Sequence, residues 1–185
     1  MKKYFDKNHN KLVFIGQKAS DTFWDKHWAN EDFERLIKSV HNRLIIRITK
    51  KYLPPGSRIL EGGCGRGNNV YLLAKYGYDA YGVDWAQRTV DLINRLAPEL
   101  KVTCQDVRNL NFDDGFFDGY WSLGVIEHFY EGYERIIKEV NRVIKRNGFL
   151  FLTFPSLSFL RKFKSKWGLY VDYHESINGL KIVYT

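Results

Sequence analysis

The stretch Arg58-Ile59-Leu60-Glu61-Gly62-Gly63-Cys64-Gly65-Arg66-Gly67-Asn68-Asn69 constrains this chain more than any other, because an apolar pair meets an acid and then four glycines within six residues. Val70-Tyr71-Leu72-Leu73-Ala74-Lys75-Tyr76 follows at once and is compatible with a helix. Strand, tight turn and helix in that order open a doubly wound α/β sheet. The glycines allow positive φ and let a ligand approach backbone without meeting a Cβ. The loop's N–H groups and the helix N-terminus are expected to hold an anionic or polar group.

The spacing Gly63-x-Gly65-x-Gly67 narrows the ligand. A dinucleotide fingerprint needs its third glycine one place later, where Asn68 stands, and the Gly-Lys-Ser/Thr of a phosphate-cradling loop is missing. Glu61, directly before the turn, repels a polyphosphate and attracts an amino group or a sulfonium. S-adenosylmethionine carries both positive groups. Ile59-Leu60-Glu61-x-Gly63-Cys64-Gly65-x-Gly67 closely resembles the first motif of class I S-adenosylmethionine-dependent methyltransferases, and the similarity continues to about Pro155. Gly62 departs from the family, which usually has an aliphatic residue there.

The resemblance implies a Rossmann-like, mostly parallel sheet with helices on both faces. It implies S-adenosylmethionine as cofactor and S-adenosylhomocysteine as product; no Cys/His cluster or His-Glu spacing suggests a metal, and none is expected. Glu61, Gly62, Gly63, Cys64, Gly65 and Gly67 are the expected loop contacts. Asp79-Ala80-Tyr81-Gly82-Val83 reads as the second strand and delivers Asp84, placed to accept hydrogen bonds from both ribose hydroxyls. Trp85 either lies along the adenine or is a packed aromatic. Asp106, 22 residues after Asp84, matches the acid that accepts the adenine amino group, with Val107 beside the base. Phe117-Asp118 fits the pair that enters the fourth strand, and Ser122 and Leu123 near that strand's end complete the expected cofactor set. Ile126-Glu127-His128 resembles the small-molecule members, the quinone and sugar O-methyltransferase groups. It lacks the Asn-Pro-Pro-Tyr type motif used on exocyclic base nitrogens. His128 is the candidate base, because an ordinary imidazole titrates at about 6.5, with Glu127 as the other candidate. The bland reading is that His128 caps or packs the next helix.

Three segments are expected in one domain. Residues 1–56 form an arm or lid followed by an amphipathic helix, 57–155 the α/β core, and 156–185 a basic-aromatic cap with a possible final strand. Trp24 and Trp28 share one face of a short helix. They either pack on the core or cover the cofactor, with Trp24 as a cation–π partner of the sulfonium. Phe33, Leu36, Ile37, Val40, Leu44, Ile45 and Ile48 form the helix stripe that follows. Phe149-Leu150-Phe151-Leu152-Thr153-Phe154 reads as a buried parallel strand. Family members usually add a further helix and an antiparallel strand pair, whereas 30 residues remain after Pro155. The sheet is therefore abbreviated or truncated, and Lys181-Ile182-Val183-Tyr184 offers one more strand.

At 185 residues with 44% apolar content, the chain can bury a real core. No apolar run spans a membrane and no secretory signal opens the chain. Cys64 and Cys104 are too few for a disulfide framework and fit a reducing cytoplasm. A net charge of +8 favours acidic partners. Methyl transfer to an oxygen or nitrogen of a small or lipid-linked molecule is the expected function. The alternatives are a catalytically inactive S-adenosylmethionine-binding partner protein and an RNA methyltransferase. The interleaved residues 159–167 read as a substrate cap with solvated lysines or as a peripheral membrane contact. The sequence leaves the oligomeric state open.

Overall fold

In the computed structural model, residues 2–6, 11–15, 20–28, 43–129, 132–154, 159–169, 171–172 and 182–183 are described. They form, in chain order, β1 (Lys2–Asp6), β2 (Lys11–Ile15), α1 (Asp21–Trp28), α2 (Arg43–Tyr52), β3 (Arg58–Gly62), α3 (Asn68–Lys75), β4 (Asp79–Asp84), α4 (Gln87–Leu96), β5 (Lys101–Cys104) and β6 (Phe117–Leu123). A 3-10 turn (Ile126–His128), α5 (Glu134–Val143), β7 (Ile144–Thr153), α6 (Phe159–Lys166), β8 (Val171–Asp172) and β9 (Ile182–Val183) follow. The chain divides into two units, one of residues 21–123 and 134–153, the other of residues 1–20, 124–133 and 154–185.

The larger unit is the doubly wound sheet. Its five strands run β5-β4-β3-β6-β7 and every pairing is parallel. Winding outward from β3 in both directions leaves a switch point between β3 and β6, the place where such sheets bind ligands. One face packs Ile59, Ala80, Val102, Trp121 and Phe151 against Ile45 and Ile46 of α2, Val70 and Leu73 of α3, and Val90 and Ile93 of α4. On the opposite face Leu60, Val83 and Tyr120 are buried, and α5 buries Ile136, Val140 and Val143. Helices therefore cover both faces, as expected.

Several local expectations shift. In α2 the buried side chains are Ile45, Ile46 and Thr49, while Leu44 is exposed. The reason is a bond the stripe could not show, from Trp121 Nε1 to Thr49 Oγ1 at 3.1 Å. Phe33, Leu36, Ile37 and Val40, and the side chain of Trp28, lie outside the described residues. The α5 helix stops at Val143, because Ile144 already pairs with Phe117. The register then jumps to Gly119↔Phe149, and Asn147 takes up the bulge at φ 90°. Asp118 ties that corner together, accepting from Lys145 Nζ at 2.6 Å and from Arg58 N at 2.8 Å. β7 is the sheet's edge and largely exposed, not a buried central strand.

The smaller unit holds a second sheet, ordered β8-β1-β2-β9. The start of the segment expected to be an arm or lid carries its central antiparallel pair, with Tyr4↔Val13 in register. Ile182–Val183, within the segment expected to offer one more strand, pairs with Phe14–Ile15 in this sheet. No helix among the described residues is long and apolar enough to cross a membrane.

Candidate functional site

The carboxyl end of β3 delivers Glu61 and the loop together. Glu61 is buried, and its Oε1 accepts from Asn69 Nδ2 at 2.7 Å in the first turn of α3. Its Oε2 is buried with no partner among the described residues. Burial pushes the Glu61 carboxyl up to about 8, the Asn69 bond opposing and the charge of Asp84 adding. An orphaned carboxylate oxygen at a ligand-binding strand end is the complement of a cationic group.

Gly63, Gly65 and Gly67 stand at φ 70°, 52° and 72°, conformations that other residues adopt with strain. Their amides, however, are already used. Gly63 N and Cys64 N donate to Val83 O at 2.8 and 2.9 Å, Gly67 N donates to Cys64 O at 2.9 Å, and Gly65 N donates to Asp84 Oδ2 at 2.8 Å. The expected cradle of loop N–H groups is therefore corrected at these four positions. What the glycines supply is a tight turn at positive φ, and at Gly67 the missing Cβ faces Ile93, Val102 and Leu100 of the core.

Asp84 is the loop's fastener. Oδ2 holds Gly65 and Oδ1 accepts from Ala86 N at 3.0 Å, while its carbonyl accepts from Gln105 N at 3.0 Å. The Trp85 amide also bonds to this carboxylate, so of its roughly four acceptor sites about one is left for a ligand. Burial raises its pKa, against the Ala86, Gly65 and Trp85 amides, with Asp25 adding. Asp25 belongs to α1 and accepts from Thr89 N at 3.1 Å and Thr89 Oγ1 at 3.2 Å. It caps α4 from another helix, since Ala86 at the N-cap has no capping side chain. Sequence reading missed this carboxylate, whose only local signal is the poor cap at Ala86. Through it α1 is fixed to α4, and Trp24, edge-on to Phe23 at 5.2 Å, rides on that helix half-buried.

Asp106 is engaged by its neighbour. Arg108 Nε and Nη2 donate to its two oxygens at 2.9 and 2.6 Å. Burial works against ionisation, but these bonds hold Asp106 below the usual carboxylate range. The Arg108 guanidinium also lies 5.9 Å from the Trp85 ring centre, so Trp85 and Asp106 share one cation. Val107 is buried. Ser122 pairs with Gly62 across the switch point, and its buried Oγ has no partner among the described residues. Leu123 ends β6 half-buried.

Glu127 and His128 belong to the smaller unit, in the 3-10 turn where His128 N donates to Val125 O at 3.1 Å. Burial raises the Glu127 carboxyl, and its Oε2 has no partner among the described residues.

The family profile described as a methyltransferase domain matches residues 60–152. The chain is 35% identical over 102 residues to 2-methyl-6-phytyl-1,4-hydroquinone methyltransferase of Synechocystis sp., covering 53% of this chain and 32% of that protein. It is 37% identical over 100 residues to the probable tRNA methyltransferase 9B of Bos taurus, covering 53% of this chain and 21% of that one. The PH0226 protein of Pyrococcus horikoshii OT3 has the same fold, with a TM-score of 0.57 and 25% identity over 77% of this chain and 70% of that one. The chain thus spans a fifth to a third of the length of these two curated relatives.

Proposed function

Because the chain belongs to the methyltransferase-domain family, we propose that it binds S-adenosylmethionine at the β3–α3 loop and directs the methyl group to an oxygen or nitrogen of a small or lipid-linked acceptor in the cytoplasm. The observation that carries this reading is Glu61 Oε2, a buried carboxylate oxygen without a partner among the described residues. An ammonium group seated there completes its hydrogen bonding and offsets the cost of burying its charge. The residues present fit the cofactor. Glu61 takes its amino group, the glycine turn admits its backbone-like portion, and Asp84 takes the ribose hydroxyls. Asp106, Val107 and Trp85 flank the base, with Ser122, Leu123 and Trp24 as further contacts.

Bound there, the cofactor supplies a methyl group on a sulfonium that is already a good leaving group. The protein's part is placement and exclusion of water. A base is required only for an acceptor that must lose a proton, and His128 or Glu127 fills that role. The lipid-linked acceptor is favoured by the likeness to the hydroquinone methyltransferase. RNA is the second reading, on the net charge of +8 and the likeness to the probable tRNA enzyme.

Calorimetric titration with S-adenosylhomocysteine tests the cofactor reading. Saturable binding is expected, lost in Gly65→Val while circular dichroism keeps the fold. Wild-type affinity in that variant removes the loop from the site. For RNA, a steep loss of affinity with added salt is the mark of phosphate contacts.

A further inference from the structure

The α6 helix presents an apolar stripe to solvent. Phe159, Leu160, Phe163 and Trp167 follow one another at i, i+1, i+4 and i+8, which gathers them within about 100° of the helix circumference. They are 84%, 69%, 48% and 70% exposed, and Leu169 beyond them is 65% exposed. Trp167 N donates to Phe163 O at 3.1 Å, so the helical path continues through the tryptophan, and the two rings stack with centroids 5.2 Å apart. Leu169 N donates to Lys164 O at 3.0 Å and closes the end. Arg161, Lys162, Lys164 and Lys166 are all exposed, and residues 159–169 contain no Asp or Glu.

We propose that α6 is a docking surface for an anionic lipid bilayer, with Phe159, Leu160, Phe163 and Trp167 inserted among the acyl chains and the lysines against the headgroups. Three features select this occupant. Exposed aromatic and leucine side chains in one stripe lose contact with water when the helix lies in the interface plane. The cations border that stripe, where long lysine stems reach headgroup depth. A second copy of the chain would bring four like charges against four, which disfavours self-association through this face. A single-stranded nucleic acid would stack on Phe163 and Trp167 but would leave Leu160 and Leu169 wet. The surface does not rest on the acceptor reading, and it is measured without acceptor or cofactor.

The experiment is partition of the full chain onto phosphatidylcholine vesicles with and without phosphatidylserine. Binding is expected on the mixed vesicles, much weaker on the neutral ones, and reduced by added salt. Replacing Lys162, Lys164 and Lys166 together by Gln is expected to lower the partition coefficient about 100-fold, since each cation near an anionic surface contributes roughly five-fold. These side chains are exposed, and circular dichroism checks that the variant is folded. Brominated acyl chains are expected to quench tryptophan emission in the wild type, and Trp167→Phe to abolish the quenching while Trp24, Trp28, Trp85 and Trp121 remain. Failure to bind mixed vesicles, equal partition of wild type and the Gln variant, or quenching that survives Trp167→Phe overturns the proposal. So does tighter binding of poly(U) than of vesicles at equal salt, or a dimer in sedimentation that Phe163→Ser dissolves.

Discussion

The ring of Tyr120 occupies the space that a side chain at Gly62 would need: a Cβ built there lies 2.6 Å from Tyr120 Cζ and closer still to the hydroxyl. The two residues sit on adjacent strands, where Leu60 pairs with Tyr120 and Gly62 with Ser122, so both point to the same face. The glycine that departs from the family pattern is thus complementary to a large buried partner. Gly62→Ala should overpack this contact and destabilise by about 1–3 kcal/mol. Adding Tyr120→Leu should recover part of that loss, with a coupling of about 0.5–3 kcal/mol in a urea-unfolding double-mutant cycle. Strict additivity would show that the strands simply shift to make room.

Asp84 is asked to do two things, and they can be separated. Asp84→Ala should weaken S-adenosylhomocysteine binding by about 1.5–3 kcal/mol, the range for hydrogen bonds to charged groups. It should also lower stability by about 1–3 kcal/mol, because Gly65 N–H and Ala86 N–H lose their acceptor. Calorimetry and urea unfolding read the two losses independently. Unchanged affinity in a destabilised variant would confine Asp84 to shaping the loop.

Glu61 predicts a pH dependence with a definite sign. Its carboxyl titrates at about 8 in the fold against an ordinary 4.5. Within that window the folded protein holds a proton that the unfolded chain has released. The unfolded state binds fewer protons, so stability falls as pH rises and levels off above the folded value. The steepest slope from this one group is about 1.4 kcal/mol per pH unit. Glu61→Gln keeps an acceptor for Asn69 and removes the titration. Melting at about pH 5 and about pH 8 should therefore show the variant gaining on the wild type at the higher pH. Asp84 is shifted the same way but remains in both proteins. A constant difference between the two melting curves would mean that Glu61 is ionised in the fold.

How far the sequence could be read follows from the distance over which each feature is specified. The β3–loop–α3–β4 unit is written in contiguous residues, and the strand–turn–helix order and the parallel sheet were legible from them. The reason for Gly62 lies in Tyr120 on another strand, and the partner that fixes the buried face of α2 is Trp121, 72 residues from Thr49. Asp25 caps a helix 64 residues away. The strands of the smaller sheet are five residues or two, too short for periodicity, and β8 and β9 pair with strands from the opposite end of the chain. The role of the loop amides was misread because nothing in a glycine spacing tells whether Val83 and Asp84 have already used them.

His128 and Glu127 are separable once an acceptor is in hand. If His128 is the base, His128→Ala should keep cofactor affinity and lower turnover by roughly 10²–10⁴-fold. Glu127→Gln should then leave turnover within a few-fold. The reverse pattern assigns the base to Glu127, whose buried Oε2 is without a partner among the described residues.

Asp25 links α1 to the strand that carries Asp84, because α4, which it caps, starts three residues after that strand ends. A carboxylate at a helix N-terminus satisfies orphan N–H groups and faces the positive end of the dipole. Asp25→Ala should cost about 0.5–2 kcal/mol of stability, the usual worth of a capping side chain. Asp25→Asn, which retains an acceptor oxygen for Thr89, should cost less. Removing the charge also removes a repulsion felt by Asp84, so cofactor affinity should not fall through electrostatics. If Trp24 contacts the cofactor, loosening α1 weakens binding in the Ala variant and spares it in the Asn variant. Equal cofactor affinity in both variants, with stability lowered only in Asp25→Ala, would leave α1 as packing and take Trp24 out of the site.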